Sequence, residues 1–142
     1  MLLLLIFPCT VGTGKESGMK KILIVDDEVR IRDIYVRMFV PEGIIVRVAA
    51  NAGEAVNILI REGVDLILLD IGMPNIDGRV AFDIIKEYDP QARIIISSVY
   101  PIEKQKTMIP GAEDYFDKSE GPIWLLKKVL DALQKGESVS FS

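Results

Sequence analysis

The chain contains no histidine. That excludes histidine-ligated zinc, Ser-His and Cys-His nucleophilic pairs, and any phosphohistidine formed on this chain itself. Cysteine is almost as scarce: Cys9 stands alone, so no internal disulfide can form, which fits a reducing compartment. There is no excess of basic residues either. A formal net charge of −4 leaves no electrostatic footprint for nucleic acid. Long apolar runs are missing too: Leu2–Phe7 is too short to span a bilayer. It also lacks the positive n-region and small-residue cleavage site of a secretory signal. The stretch CTVGTGKES has Gly14 and Lys15 in the order of a phosphate-binding loop. It has Cys9 where that loop needs glycine and Glu16 where it needs Ser or Thr, and no helical pattern follows.

What is present is a chain of 142 residues, 49% hydrophobic and 27% charged, the size and composition of one globular domain. Met19 reads as the natural start of the folded unit. Residues 1–18 are expected to be an extension, disordered or a start-site artefact, and residues 137–142 a short tail after a domain over 19–136. From Lys20 onward, strand and helix patterns alternate. Apolar runs predict buried parallel strands at Ile22–Val25, Ile44–Val48, Leu66–Leu69 and Ile94–Ile96, with a shorter one near Tyr115–Phe116.

Between the strands lie helical periodicities. Ile31, Ile34, Tyr35 and Met38 share one face, and Pro41 with Gly43 ends that helix. Asn51 and Glu54 form a capping box for a second helix with Ala52, Ala55, Val56 and Leu59 inward. Asp77 caps a third, in which Ala81, Ile84, Ile85 and Tyr88 recur at helical spacing. Ile102–Met108 is a short, polar fourth. The fifth follows Gly121-Pro122 and turns Ile123, Leu126, Leu130 and Leu133 to the core. Five βα units in succession predict an α/β three-layer sandwich around a parallel sheet.

In such sheets, ligands bind beyond the carboxyl ends of the strands. The first predicted strand runs into Asp26, Asp27 and Glu28, and the third ends on Asp70. Clustered carboxylates repel one another and call for a positive partner, for which a hard divalent cation with oxygen ligands is the natural candidate. Ser97 and Ser98 follow the fourth strand and Lys118 the fifth. Acids, a hydroxyl and an amine on one rim suit phosphoryl chemistry, in which metal, amine and hydroxyl neutralise the phosphoryl oxygens. Taken singly, a strand-end Asp is often only a helix cap and a loop Lys is usually solvated. Their joint placement on successive strand ends is what makes the pattern specific.

The blocks KILIVDDE, DLILLDIGMPNIDG, ARIIISSV and GAEDYFDKS resemble the signature of the response-regulator receiver domain of two-component signalling, over about Lys20 to Gln134. The resemblance implies a flavodoxin-like, doubly wound five-stranded parallel sheet of order 2-1-3-4-5, an order that general accounts of such folds already give for a member of this family. It implies that Asp70 accepts a phosphoryl group from a phosphohistidine on a partner histidine kinase or phosphotransfer protein. Asp26 and Asp27, with the backbone carbonyl of Gly72, would hold Mg²⁺ or Mn²⁺ there. Ser97 would move to bond the phosphoryl group, Lys118 would pair with it, and Tyr115 would occupy the aromatic switch position.

Two departures stand out. Ser119 follows Lys118 where the family usually has a proline on a cis bond, so the loop is expected to be trans or differently turned. Gly72 offers no side chain to position or block an attacking water.

Residues 119–142 hold one helix and no room for an output domain, so the expected output is contact with a downstream protein, or the chain is part of a longer regulator. Trp124, off the core face of the last helix, and Tyr100 are expected at an interaction surface. A homodimer through the fourth helix, fifth strand and fifth helix is also expected, in a cytoplasmic protein that is not a conventional enzyme and binds neither nucleic acid nor membrane. Two other readings compete: a receiver-like module that binds protein without being phosphorylated, and a phosphatase of the haloacid dehalogenase class. The latter would need Asp26 and Glu28 as its acid pair and a cap insertion, which does not follow.

Overall fold

The computed structural model describes residues 18–72 and 76–139; the phosphate-loop-like stretch of the first residues lies outside them. Five strands, β1 (Lys21–Val25), β2 (Ile45–Ala49), β3 (Leu66–Asp70), β4 (Ile94–Ser98) and β5 (Asp114–Asp117), form one sheet. Every pairing is parallel, and the order is β2-β1-β3-β4-β5. The connecting helices are α1 (Val29–Phe39), α2 (Ala52–Arg61), α3 (Ile76–Tyr88), α4 (Ile102–Met108) and α5 (Pro122–Val139). This is the expected flavodoxin-like arrangement, with β1, β3, β4 and β5 a residue or two longer than expected and β2 shifted by one residue. The last helix runs to Val139, past the expected boundary at 136.

Because strand side chains alternate between faces, the sheet divides the core in two. Leu23, Val25, Ile67, Leu69, Ile94, Ile96 and Tyr115 face Ala55, Ile58, Phe82 and Ile85 of α2 and α3. Ile22, Ile24, Leu66, Leu68, Ile95 and Phe116 face Tyr35 and Phe39 of α1 and Leu125 and Val129 of α5. Burial on both faces is why the strands read as continuous apolar runs.

The expected faces of α1, α3 and α5 hold in part. Ile31, Tyr35 and Met38, Ala81 and Ile85, and Leu126, Leu130 and Leu133 are buried or pack against the core, and the differences lie in their neighbours. On α1 the buried residues are Tyr35 and Phe39, while Ile34 is 51% exposed. On α3, Phe82 and Ile85 are buried, and Ile84 and Tyr88 are exposed. On α5, Leu125, Val129, Ala132 and Leu133 take the core and Ile123 is 82% exposed. The cause is common to all three. Where adjacent residues are both apolar, periodicity leaves the phase uncertain by one residue, about 100° of rotation, and packing against the sheet decides it.

The caps are local. Asn51 Oδ1 accepts from the Glu54 amide at 2.9 Å, as expected, but the Glu54 carboxylate accepts from the Ala50 amide, one residue before the cap. Asp77 falls in the first turn of α3, which opens at Ile76, and its side chain lies outside the described residues. Gly43, at φ 81°, closes the short 3₁₀ turn Val40–Glu42 after α1, a conformation that favours glycine.

The weak fourth helix is held by a buried polar residue. Gln105 is fully buried, and its amide nitrogen donates to the carbonyls of Tyr100 at 2.7 Å and Phe116 at 2.9 Å. The bonds tie α4 both to the loop before it and to β5. Gln105→Leu should lower stability by about 1–3 kcal/mol in a denaturant melt, because the buried Phe116 carbonyl and the part-buried Tyr100 carbonyl lose a donor. Glu103→Ala on the exposed side of the same helix should stay within about 0.5 kcal/mol.

Candidate functional site

The same alternation builds the site. On β1, Ile22 and Ile24 point to the α1–α5 face, and Asp26 is next in that series. On β3, Leu66 and Leu68 are followed by Asp70; on β4, Ile95 by Ser97; on β5, Phe116 by Lys118. Register brings these ends level, with Val25 beside Leu69 and Asp70 beside Ser97. Four polar residues therefore emerge at the carboxyl edge with the same facing. They border a cleft of about 700 Å³ whose lining includes Asp26, Asp27, Asp70, Gly72, Val99 and Lys118.

Lys118 Nζ lies 2.5 Å from Asp70 Oδ1. The contact is a close ion pair without the direction of a hydrogen bond, since that oxygen has no hydrogen-bond partner. The Lys118–Ser119 departure does not misdirect the amine. No peptide bond is cis among the described residues, and Lys118–Glu120 form a 3₁₀ turn. Asp117 caps it: its Oδ1 accepts from the Ser119 amide at 2.9 Å and from the Ser119 hydroxyl at 2.8 Å, while Glu120 accepts from the Asp117 amide. Burial opposes the Lys118 charge, but Asp70 outweighs it and holds the ammonium above its ordinary pKa.

Asp26 is 1% exposed. Burial pushes its carboxyl up; the Glu28 amide, donating to Oδ1 at 2.8 Å, opposes this, and the nearby Asp70 carboxylate adds to the rise. The result is a pKa of about 7. Its Oδ2 is buried without a partner. Asp27, by contrast, is exposed at the rim, and among the described residues no three acidic side chains converge into a ready-made metal cluster. Asp26 and Asp70 thus meet inside the cleft, and Asp27 lines its exposed rim.

The other predicted residues are spread more widely. Ser97 is fully buried with its Oγ unpartnered, and the buried Ser98 hydroxyl accepts from the Tyr100 amide at 3.1 Å. Tyr115 lies on the opposite face of the sheet, buried, its hydroxyl donating to the Ile109 carbonyl at 2.7 Å and accepting from the Ala112 amide at 3.2 Å. Tyr100 is half-buried with the Lys104 ammonium 4.7 Å from its ring centre. Trp124 is 42% exposed, and the Lys127 ammonium sits 6.0 Å from its ring centre. Sequence reasoning placed Tyr35 in the core but missed its proximity to this site. The electrostatic surroundings of its phenol include Lys118, Ser97, Asp70 and Asp26. The parity shared by α1's inner face and the strand ends was the available signal.

The family model for the response regulator receiver domain matches residues 22–130. The chain belongs to that family. It is 34% identical over 120 residues to sporulation initiation phosphotransferase F of Bacillus subtilis, covering 82% of this chain and 92% of that one. The chain spans only 29% and 49% of the length of two other curated relatives. Among solved structures, a CheY-like receiver domain protein of Methanospirillum hungatei is similar at TM-score 0.73 and 30% identity, covering 84% of this chain and 98% of that one. The response regulator TrrA of Thermotoga maritima, solved in complex with Mg(2+)-BeF, is similar at TM-score 0.69 and 32% identity, covering 80% and 99%. Receiver domains of this family work through protein partners, kinases or phosphotransfer proteins on one side and downstream targets on the other. Among the described residues of this receiver domain, no helix is long and apolar enough to cross a membrane.

The Asp26 carboxyl has a direct consequence for stability. Its folded pKa of about 7 stands above the ordinary 3.8, so folding favours the protonated form. The stabilising contribution is complete below pH 4 and is lost as pH rises towards 7. Without divalent cations, Asp26→Asn should therefore melt higher than the parent at pH 7.5, with the gap shrinking as pH falls to 4. A constant gap across that range would contradict this assignment.

Proposed function

We propose that this receiver domain takes a phosphoryl group on Asp70 from a partner histidine kinase or phosphotransfer protein and passes the signal on by protein contact. The observation that carries the proposal is the meeting of the Asp70 carboxylate, a buried Asp26 and the Lys118 ammonium at one strand edge, beside the unpartnered Ser97 hydroxyl. The donor set fits a small hard cation. Magnesium uses one or two carboxylates and keeps several waters, and the partnerless Asp26 Oδ2 is a ligand atom in want of a cation. Asp26, Asp27 and Asp70, directly or through water, and the Gly72 carbonyl, all lining the one cleft, would hold Mg²⁺ or Mn²⁺. Bound there, the cation supplies charge neutralisation for an anionic carboxylate meeting an anionic phosphoryl group.

The chain's own residues do the rest. An Asp70 oxygen attacks phosphorus in line, the P–N bond to the donor imidazole breaks, and its electron pair stays on nitrogen. Lys118 already lies against Asp70 and pairs with a phosphoryl oxygen once the acyl phosphate has formed. Ser97 donates its free hydroxyl to another. The modified side chain gains charge and three strong acceptors, so groups near it must rearrange. The change is read at the surface of α4, β5 and α5, where Tyr100 and Trp124 are offered to a downstream protein or a second copy. The reaction is self-modification in a cytoplasmic setting, with slow self-dephosphorylation, and not turnover of a substrate.

Acetyl phosphate with Mg²⁺ should add one phosphoryl group to the parent chain by intact mass, none to Asp70→Ala, and markedly less when EDTA replaces the metal. An unmodified parent chain would leave the protein-binding reading without phosphorylation. Modification of Asp70→Ala would place the acceptor elsewhere.

A further inference from the structure

Tyr35 has no role in the chemistry so far, yet it is the phenol built beneath it. It rises from α1 into the core face that also carries Ile95 and Phe116, and it is 6% exposed. Ser97 continues that face from Ile95 and is paired in register with Phe116, so both side chains enter the same layer between the sheet and α1. The Phe39 ring, 6.3 Å from that of Tyr35 at an interplanar angle of 60°, restricts the phenol from below. Above it, the Ser97 Oγ is fully buried with no hydrogen-bond partner. Burial keeps Tyr35 above its ordinary pKa, against the Lys118 ammonium and then the Ser97 hydroxyl, which both favour the ionised phenol. Ser97 Oγ is thus a buried hydroxyl without a bond, with the Tyr35 phenol interacting with it from the same layer, and buried polar groups are seldom left unpartnered without a reason.

We propose that Tyr35 is a positioning residue for Ser97: its phenol donates to Ser97 Oγ when that hydroxyl turns to donate to the phosphoryl group on Asp70. The inference rests on the phosphoryl-accepting reading given above and adds a member to it. A serine hydroxyl can donate one hydrogen bond and accept two. Committing its proton to the phosphoryl oxygen leaves its lone pairs free to accept from Tyr35, a hydroxyl donor of the same layer. A hydroxyl that accepts one bond becomes a better donor of its own, so the chain phenol–serine–phosphoryl strengthens in sequence. Donors fixed in advance around the transferring phosphoryl oxygens stabilise its transition state. The phenol also orders Ser97 from the α1 side, independently of Tyr115, which lies across the sheet.

The test is a double-mutant cycle on the full chain. Tyr35→Phe keeps the ring and removes only the hydroxyl. Phosphorylation by acetyl phosphate should slow about fivefold, the rate equivalent of one ordinary hydrogen bond. On a Ser97→Ala background the same change should alter the rate by less than about 1.5-fold, because the coupling partner is gone. A spectroscopic readout runs beside it. Adding beryllofluoride with Mg²⁺ should produce a tyrosine near-ultraviolet difference band in the parent chain that is lost in Tyr35→Phe and in Ser97→Ala alike. Loss in Tyr35→Phe assigns the band to Tyr35 and not to Tyr115 across the sheet, and loss in Ser97→Ala assigns its cause to that hydroxyl. Equal phosphorylation rates for parent and Tyr35→Phe, or additive effects in the cycle, would overturn the role of Tyr35 and leave the phosphoryl-accepting reading intact. A parent chain that takes no phosphoryl group would overturn both.

Discussion

Two carboxylates and one ammonium share the carboxyl edge of this sheet, and the imbalance among them governs what the edge can do. Asp26 is buried too deeply to be charged cheaply, and Asp70 beside it makes the cost greater. Lys118 neutralises only one of the pair, at 2.5 Å from Asp70. The remaining charge is met by protonating Asp26 or by admitting a cation. On the proposed reading, a divalent ion at this edge would compete with a proton for the same oxygens, which would tie metal affinity to pH.

The sheet was largely legible before any coordinates, because its strands are buried on both faces and read as apolar runs with little competing pattern. The strand ends that carry Asp26, Asp70, Ser97 and Lys118 followed from those runs alone. Helix phase was not legible to the same degree. Ile34 and Tyr35 are adjacent and both apolar enough for the core, as are Leu125 and Leu126, and no local rule chooses between neighbours. The choice depends on the shape of the sheet surface to be filled, which is a property of all the strands together. The same limit hid Tyr35 from the site: its place on a core face was evident, but the reach of its hydroxyl toward Ser97 depends on how α1 lies across the strands.

The junction after Lys118 illustrates a different kind of illegibility. Replacing a turn-fixing residue by Ser119 removes a covalent restraint on where the lysine points. Asp117 and Glu120 restore it by bonding, with Asp117 holding both the amide and the hydroxyl of Ser119. The structure shows Asp117 and Glu120 as a capping box whose work is done by three residues acting together. A departure at one position therefore says little until the neighbours able to compensate for it are known.

Ser97, paired in register with Asp70, is placed where a change at Asp70 can be felt on both sides of the sheet. Its side chain belongs to the α1–α5 layer, beside Tyr35, whereas its strand neighbour Ile96 packs with Tyr115 in the layer of α2 and α3. Tyr115 is fastened to the Ile109 carbonyl and the Ala112 amide, so moving its ring costs two bonds in the segment that joins α4 to β5. Gln105 fastens the other end of that segment, through Tyr100 and Phe116. The α4–β5 region is thus held by a few identifiable hydrogen bonds, with only a seven-residue helix to support it. Rearrangement there requires exchanging those bonds and leaves the two apolar layers in place, which is what a surface with two discrete arrangements needs.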